Sequence, residues 1–294
     1  MRRSLRWLFL GLALAAGVNL PAAGPDLKLP LQPKSVRFAV IGDNGTGVKP
    51  EYDIAQQMAS YHAVFPFDFV IMLGDNIYGS KDAEAFKRKF EDPYAALLGA
   101  GVKFYASLGN HDDPNERFYK PFNMGGKRYY SFKNGDVEFF ALDSNYMDVE
   151  QMNWLQRELS AGANWKICFF HHPLYSNGKF HGPDIDLRTR LEPLFLQDGV
   201  DAVFAGHDHV YERMKPQKGI YYFVLGNAGE LRPHDLRQSP DTAKGFDSDR
   251  AFMLVEITGD QLYFQTISRT GATIDSGALP KPVHAPQVSA AGAP

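Results

Sequence analysis

The residues able to do chemistry in this chain recur at one kind of place. Asp43 follows Gly42, Asp75 follows Gly74, Asn110 and His111 follow Gly109, and His207, Asp208 and His209 follow Gly206. His171, in Phe170-His171-His172-Pro173, adds a fifth case without the glycine. Each stands just past a short apolar run that reads as a buried strand. One Asp or His after a strand is ordinarily a turn or a cap. Five such ends in one chain point to a common cause. Ligands of open α/β sheets sit beyond the carboxyl ends of the strands, where these side chains would meet. Carboxylate, amide and imidazole donors gathered there suit two cations about 3.5–4 Å apart, the separation used for in-line phosphoryl displacement. The focus is Asp75. Its two oxygens can serve two ions, and Tyr78 can turn a phenol back to the same point.

The elements that must position these residues follow from the pattern of apolar residues. Strands are expected over Ser35–Ile41, Phe69–Leu73 and Val102–Ser107, with helical stretches over Glu51–His62 and over Asp82–Leu98, the latter broken at Pro93. This is a β-α-β-α-β run with a polar cluster at each strand end. Asn134-Gly135 between Arg128–Phe132 and Asp136–Leu142 predicts a hairpin. An amphipathic helix over Val149–Leu159, a strand over Trp165–Phe170, a helix over Leu187–Gln197 and a strand over Ala202–Ala205 follow. The remainder reads as strands at Ile220–Leu225, Ala251–Ile257, Gln261–Ile267 and Ala272–Ile274. The organisation expected is an export signal over residues 1–23, a leader over 24–34, one catalytic domain over 35–278 and a disordered tail over 279–294.

Composition narrows the classes. The 294 residues are 44% hydrophobic and 22% charged, which is ordinary for a globular chain with a large core. A net charge of −3 implies no polyanion-binding surface, so no nucleic-acid partner is expected. The single cysteine, Cys168, lies in an apolar run and reads as a buried packing residue. Arg2, Arg3 and Arg6 precede an apolar stretch from Trp7 to Val18 and the small residues Ala22, Ala23 and Gly24. That is the form of a cleaved export signal, too short to span a membrane, so no stable membrane anchor is expected. Arg2-Arg3-Ser4-Leu5 also fits a twin-arginine signal, leaving the general and twin-arginine routes both open. A periplasmic or secreted location follows.

The chain resembles the purple acid phosphatases, in their small single-domain form, within the calcineurin-like metallophosphoesterases. The matching residues are Asp43-Asn44-Gly45, Gly74-Asp75-Asn76-Ile77-Tyr78, Gly109-Asn110-His111-Asp112, His171 and Gly206-His207-Asp208-His209, in the family's order over residues 36 to 270. Tyr78 discriminates: most other metallophosphoesterases carry a histidine where Gly45 stands and lack the tyrosine. Together with the element order this implies a four-layer α/β/β/α sandwich of two mixed β-sheets. The resemblance implies a first metal on Asp43, Asp75, Tyr78 and His209, and a second on Asp75, Asn110, His171 and His207. Counting charges agrees with a trivalent ion at the first site and a divalent ion at the second. Carboxylate, phenolate and imidazole suit iron at the first, with iron, zinc or manganese at the second.

The implied reaction is hydrolysis of phosphomonoesters at acid pH by in-line attack of a metal-bound hydroxide. His111 and His181 are the candidates to protonate the leaving group. His172 is expected to orient a ligand, Asp112 and Asp208 to hold turns or neighbours, and Asn227 to shape a nearby loop. The substrate expected is a small phosphate ester or a phosphoprotein; the oligomeric state is left open. The connection from Asp143 to Val149 is short, which would leave the site open. Two rival readings are a phosphodiesterase or nucleotidase on the same centre, and a non-catalytic metal- or phosphate-binding protein.

Overall fold

The computed structural model describes residues 24–284. The expected export signal and residues 285–294 lie outside them. The chain begins with β1 (Val36–Ile41), α1 (Lys49–His62), β2 (Phe69–Leu73), α2 (Ala83–Phe86), α3 (Ala95–Gly99) and β3 (Lys103–Ser107). It continues with β4 (Tyr130–Asn134), β5 (Val137–Ala141), α4 (Val149–Leu159), β6 (Trp165–Phe170), α5 (Ile185–Asp198) and β7 (Ala202–Ala205). The last strands are β8 (Tyr211–Met214), β9 (Tyr221–Leu225), β10 (Thr242–Phe246), β11 (Ala251–Thr258), β12 (Gln261–Ser268) and β13 (Thr273–Pro280).

Two sheets result. One has six strands in the order β13-β12-β11-β1-β2-β3, the other seven in the order β10-β8-β9-β7-β6-β5-β4. Both are mixed: β1, β2 and β3 run parallel, while β11 joins β1 antiparallel. In the second sheet β5, β6, β7 and β9 are parallel and β4, β8 and β10 are antiparallel additions.

The parallel strands are mostly apolar because both faces are covered, with Arg37, Lys103, Glu138 and Lys166 towards their starts. Between the sheets lies a layer of phenylalanines. Phe38 and Phe69 stack at 5.4 Å, and each meets Phe139 of the other sheet edge-on at 5.2 Å. A second apolar cluster, including Leu155, Cys168, Leu191, Phe195 and Tyr222, fills the space under α4 and α5. Asp148 and Asp184 cap these helices by accepting from the main-chain N–H of Gln151 and Leu187, both at 2.8 Å.

Two expectations change, and one is refined. The helical stretch expected over Asp82–Leu98 is broken at Pro93 as expected, with α2 widened into a π-helical turn over Lys87–Glu91 before the break and α3 after it. β8 and β10 were not expected. β8 carries Glu212 and Arg213, whose charges hide its strand pattern until Asp275 is found beside Arg213 at 2.8 Å. The tail is ordered further than expected: β13 runs to Pro280, and His284 Nε2 lies 2.8 Å from Asp201 Oδ1. Pairing with β12 overrides the Pro- and Ala-rich composition there. The leader is tied down as well, with the main-chain N–H of Lys28 on Gln265 Oε1 at 2.8 Å and that of Leu31 on Glu256 Oε2 at 2.9 Å.

Candidate metal centre

The strand ends meet at one edge of the sandwich. Asp43 follows β1, Asp75 and Tyr78 follow β2, Asn110 and His111 follow β3, His171 follows β6, and His207 and His209 follow β7. Three of these residues, Asp43, Asp75 and His207, hold positive φ angles of 54°, 53° and 71°. Such left-handed backbone is costly for a residue with a Cβ and persists where the surroundings over-determine it. Gly74, at φ 88°, makes the sharpest turn; a Cβ there would stand 2.7 Å from His171 Nδ1 and from the Gly109 nitrogen. Gly45 is pinned differently. Its N–H donates to the Asp75 carbonyl at 3.3 Å and its carbonyl accepts from Tyr78 N–H at 2.8 Å. A Cβ at Gly45 would stand 1.7 Å from the Asn76 carbonyl oxygen.

The donors fall into two groups. In the first, single ligand atoms of Asp43, Asp75 and His209 all lie within 4.8 Å of one another. Tyr78 Oη is 3.3 Å from both Asp43 Oδ1 and His209 Nε2. In the second, His171 Nε2 lies 3.0 Å from His207 Nδ1, 2.9 Å from Asn110 Oδ1 and 3.5 Å from Asp75 Oδ1. Asp75 is therefore within reach of both groups. His172 also lies within 4.8 Å of His171 and His207, with its Nδ1 tied to Ser144 Oγ at 2.8 Å.

The donor set fits cations. His171 Nδ1 is 2.9 Å from the Leu73 carbonyl, which can only accept, so the ring proton sits there and Nε2 turns a lone pair inward. Burial keeps this ring neutral, its pKa well below the ordinary value. That lone pair faces further acceptors, Asn110 Oδ1 and Asp75 Oδ1. Asp43 and Asp75 are buried, and among the described residues neither has a Lys or Arg within ion-pair distance. Burial, then the charge of Asp75, raises the Asp43 pKa well above the usual carboxylate range. Burial, Asp43 and Asp75 raise that of Tyr78. Positive charge placed among these groups would offset each of these costs.

The candidate acids flank the centre. His111 is exposed, its ring 5.0 Å from that of Tyr78. His181 is also exposed, its ring 4.0 Å from His207 and 6.3 Å from His209. Partial desolvation against those rings, the Arg232 guanidinium and His209 hold its pKa down to about 4. Asp208 fixes the loop bearing His181: it accepts from the Ser176 hydroxyl and from Gly182 N–H. Asp112 accepts from Asn76 Nδ2 at 2.8 Å, Ile77 N–H at 3.1 Å and Gly109 N–H at 2.8 Å, joining the loops after β2 and β3. Asn227 donates to the Asp249 carbonyl at 3.0 Å. A cleft of about 400 Å³ opens beside Asn110 and His172, walled by Asp143, Ser144, Tyr146 and Asp184. Sequence reasoning missed these walls and Arg232, whose guanidinium stacks 3.4 Å from the ring centre of Phe180. The Phe180-His181 pair was a usable signal for the latter.

The chain belongs to the calcineurin-like phosphoesterase family, whose pattern matches residues 36–211. Its relatives within that family are purple and tartrate-resistant acid phosphatases. It is 26% identical to tartrate-resistant acid phosphatase type 5 of Homo sapiens, over 84% of this chain and 91% of that one. It is 28% identical to purple acid phosphatase 17 of Arabidopsis thaliana, over 76% and 78%. Among solved structures, the fold matches a purple acid phosphatase from Lupinus luteus seeds with a TM-score of 0.67 at 19% identity, over 84% of this chain and 54% of that one. It matches a dimetal phosphatase from Danio rerio with a TM-score of 0.64 at 14% identity, over 84% and 99%. Among the described residues, no helix is long and apolar enough to cross a membrane.

Proposed function

We propose that this protein is an exported acid phosphatase that hydrolyses phosphomonoesters at a dinuclear centre of iron and a second ion, which is iron, zinc or manganese. The observation that carries the reading is the convergence of buried, cation-free carboxylates with a phenol and lone-pair-bearing imidazoles at one sheet edge. Asp43, Asp75, Tyr78 and His209 would hold the first ion, and Asp75, Asn110, His171 and His207 the second. Two bound cations supply neutralisation of phosphoryl charge and a water of lowered pKa.

The chain's own residues do the rest. The main-chain N–H of His111 donates to Asp75 Oδ1 at 2.9 Å, and that of His207 donates to Asp43 Oδ2 at 2.9 Å. Both carboxylates are thus oriented before substrate arrives. The Leu73 carbonyl keeps Nε2 of His171 aimed inward. His111 and His181 stand on either side to donate a proton or hydrogen bond to the departing oxygen or the phosphoryl group. A bound dianion would raise the depressed His181 pKa toward a useful range.

The test compares hydrolysis of an aryl phosphate monoester with that of the corresponding bis-aryl diester by the metal-loaded protein. Faster monoester turnover is expected, and a large preference for the diester would overturn the reading. His111→Ala and His181→Ala, assayed on good and poor leaving groups, separate the two acids: loss of the true donor hurts the poor leaving group more. Export is checked by sequencing the N-terminus of protein recovered outside the cytoplasm, with cleavage expected near Ala23.

A further inference from the structure

One stretch of the surface differs in charge from the rest of the molecule. Between Glu116 and Asp136 there is no acidic residue, yet the stretch holds Arg117, Lys120, Lys127, Arg128 and Lys133, in a chain whose net charge is −3. Two depressions open along it. One, of about 460 Å³, is walled by Arg117, Lys127, Arg128, Tyr129 and Trp154. The next, of about 430 Å³, shares Arg117 and Gly126 and adds Phe118 and Lys120. Among the described residues Arg117, Lys120 and Lys127 have no carboxylate within ion-pair distance, unlike Arg128, which reaches Asp143 and Asp148. Phe118 is 61% exposed, a large apolar area left in water. Tyr129 and Trp154 meet at 4.9 Å and form an aromatic wall.

This face adjoins the metal centre. Arg128 lines the first depression and donates to Asp143 Oδ2 at 2.7 Å and to the Tyr146 carbonyl at 3.2 Å. Asp143 and Tyr146 wall the cleft that also touches Asn110 and His172. Arg128 thus stands between the cleft beside the donor cluster and the basic and aromatic depressions, which lie side by side as one candidate groove.

We propose that this groove is a docking site for an acidic, aromatic-containing peptide segment, carried by a phosphoprotein whose phosphoryl group enters the centre. The inference rests on the reading of that centre as a phosphomonoesterase. Unpaired cations attract carboxylates, and pockets with aromatic walls take aromatic side chains as anchors. The order of charge along the groove favours a peptide over a nucleic acid. The stretch nearest the centre has Asp112, Asp143 and Asp184 in its lining and no Lys or Arg, so an evenly charged phosphodiester backbone would find no cation there. A peptide can place its charge only at the basic end.

Binding is measured by fluorescence anisotropy of the full-length protein with a labelled, unphosphorylated octapeptide of glutamates around one phenylalanine. The triple variant Arg117→Ser, Lys120→Ser, Lys127→Ser is expected to bind at least about tenfold more weakly, and Trp154→Ala about fivefold. Both should turn over a small aryl monoester within about twofold of the parent, since neither touches the centre. Weakened binding with unchanged monoester turnover supports the site. Failure of the parent to bind, binding that survives the triple substitution, or equal binding of an oligothymidylate overturns it. Binding is read without turnover, so an absence of hydrolysis on every monoester would count against the reaction and leave the docking result standing.

Discussion

The two sheets bring different chemistry to the same edge. The six-stranded sheet delivers Asp43, Asp75, Tyr78 and Asn110 from the ends of β1, β2 and β3. The seven-stranded sheet delivers His171, His207 and His209 from β6 and β7. The anionic donors lie on one side of the seam and the imidazoles on the other. Neither sheet alone carries all the donors gathered at the edge. The halves are bonded to each other across the seam: His171 Nδ1 on the Leu73 carbonyl, and His207 N–H on Asp43. What the comparison teaches is that packing between the sheets is part of the site's chemistry. The phenylalanine layer holds two half-sites in register as much as it holds a core together.

The strongest way to break the comparison is at the residue that reaches both halves. Asp75→Asn should lower kcat/KM on an aryl monoester by about 10³-fold or more and reduce bound metal at both sites, measured by steady-state kinetics and elemental analysis. The same variant, stripped with a chelator, should melt higher than the stripped parent, because the Asp43–Asp75 repulsion is gone. A lower melting temperature would count against a repulsive, cation-seeking pair. His207→Ala attacks the imidazole half alone. Activity is expected to fall about 10²-fold, with metal content dropping from two ions to near one. Loss of both ions together would show the half-sites to be one indivisible unit.

Tyr78→Phe separates ligand identity from catalysis. A broad visible band in the metal-loaded parent should vanish in the variant, while turnover changes by less than about tenfold. A colourless, active parent would remove the iron assignment. The smallest effect is expected away from the edge, at the clamp between the sheets. Asp275 on β13 accepts from Arg213 Nε and Tyr211 Oη of β8, both at 2.8 Å. Asp275→Ala should cost about 2 kcal/mol of stability by denaturant unfolding and leave kcat unaltered. A change in kcat would mean that strain at the clamp reaches the donors.

Much of this was legible in the chain because strand ends carry their own signature. The parallel strands β2 and β7 are wholly apolar, β1, β3 and β6 are apolar but for Arg37, Lys103, Ser107 and Lys166, and glycine or a histidine pair marks where these strands stop. The donors could be named from type and place. Elements whose residues are explained only by distant partners were not legible. β8 hides its period because Glu212 and Arg213 are satisfied by Asn177 and Asp275, far off in sequence. Only the start of β13 reads as strand, because the apolar content beyond Ile274 is low and its reason to be ordered is β12. Arg232 and the cleft walls come from loops whose approach to the centre depends on the whole sandwich.

Gly45 carries a consequence for how such centres diverge. The loop after β1 and the loop that presents Tyr78 are joined by hydrogen bonds on both sides of Gly45, leaving no volume for a side chain between them. A side chain at position 45 would therefore need the loop that presents Tyr78 to follow another path. The residue at position 45 is therefore tied to the path of the neighbouring loop, and a substitution there would have to move that loop as well.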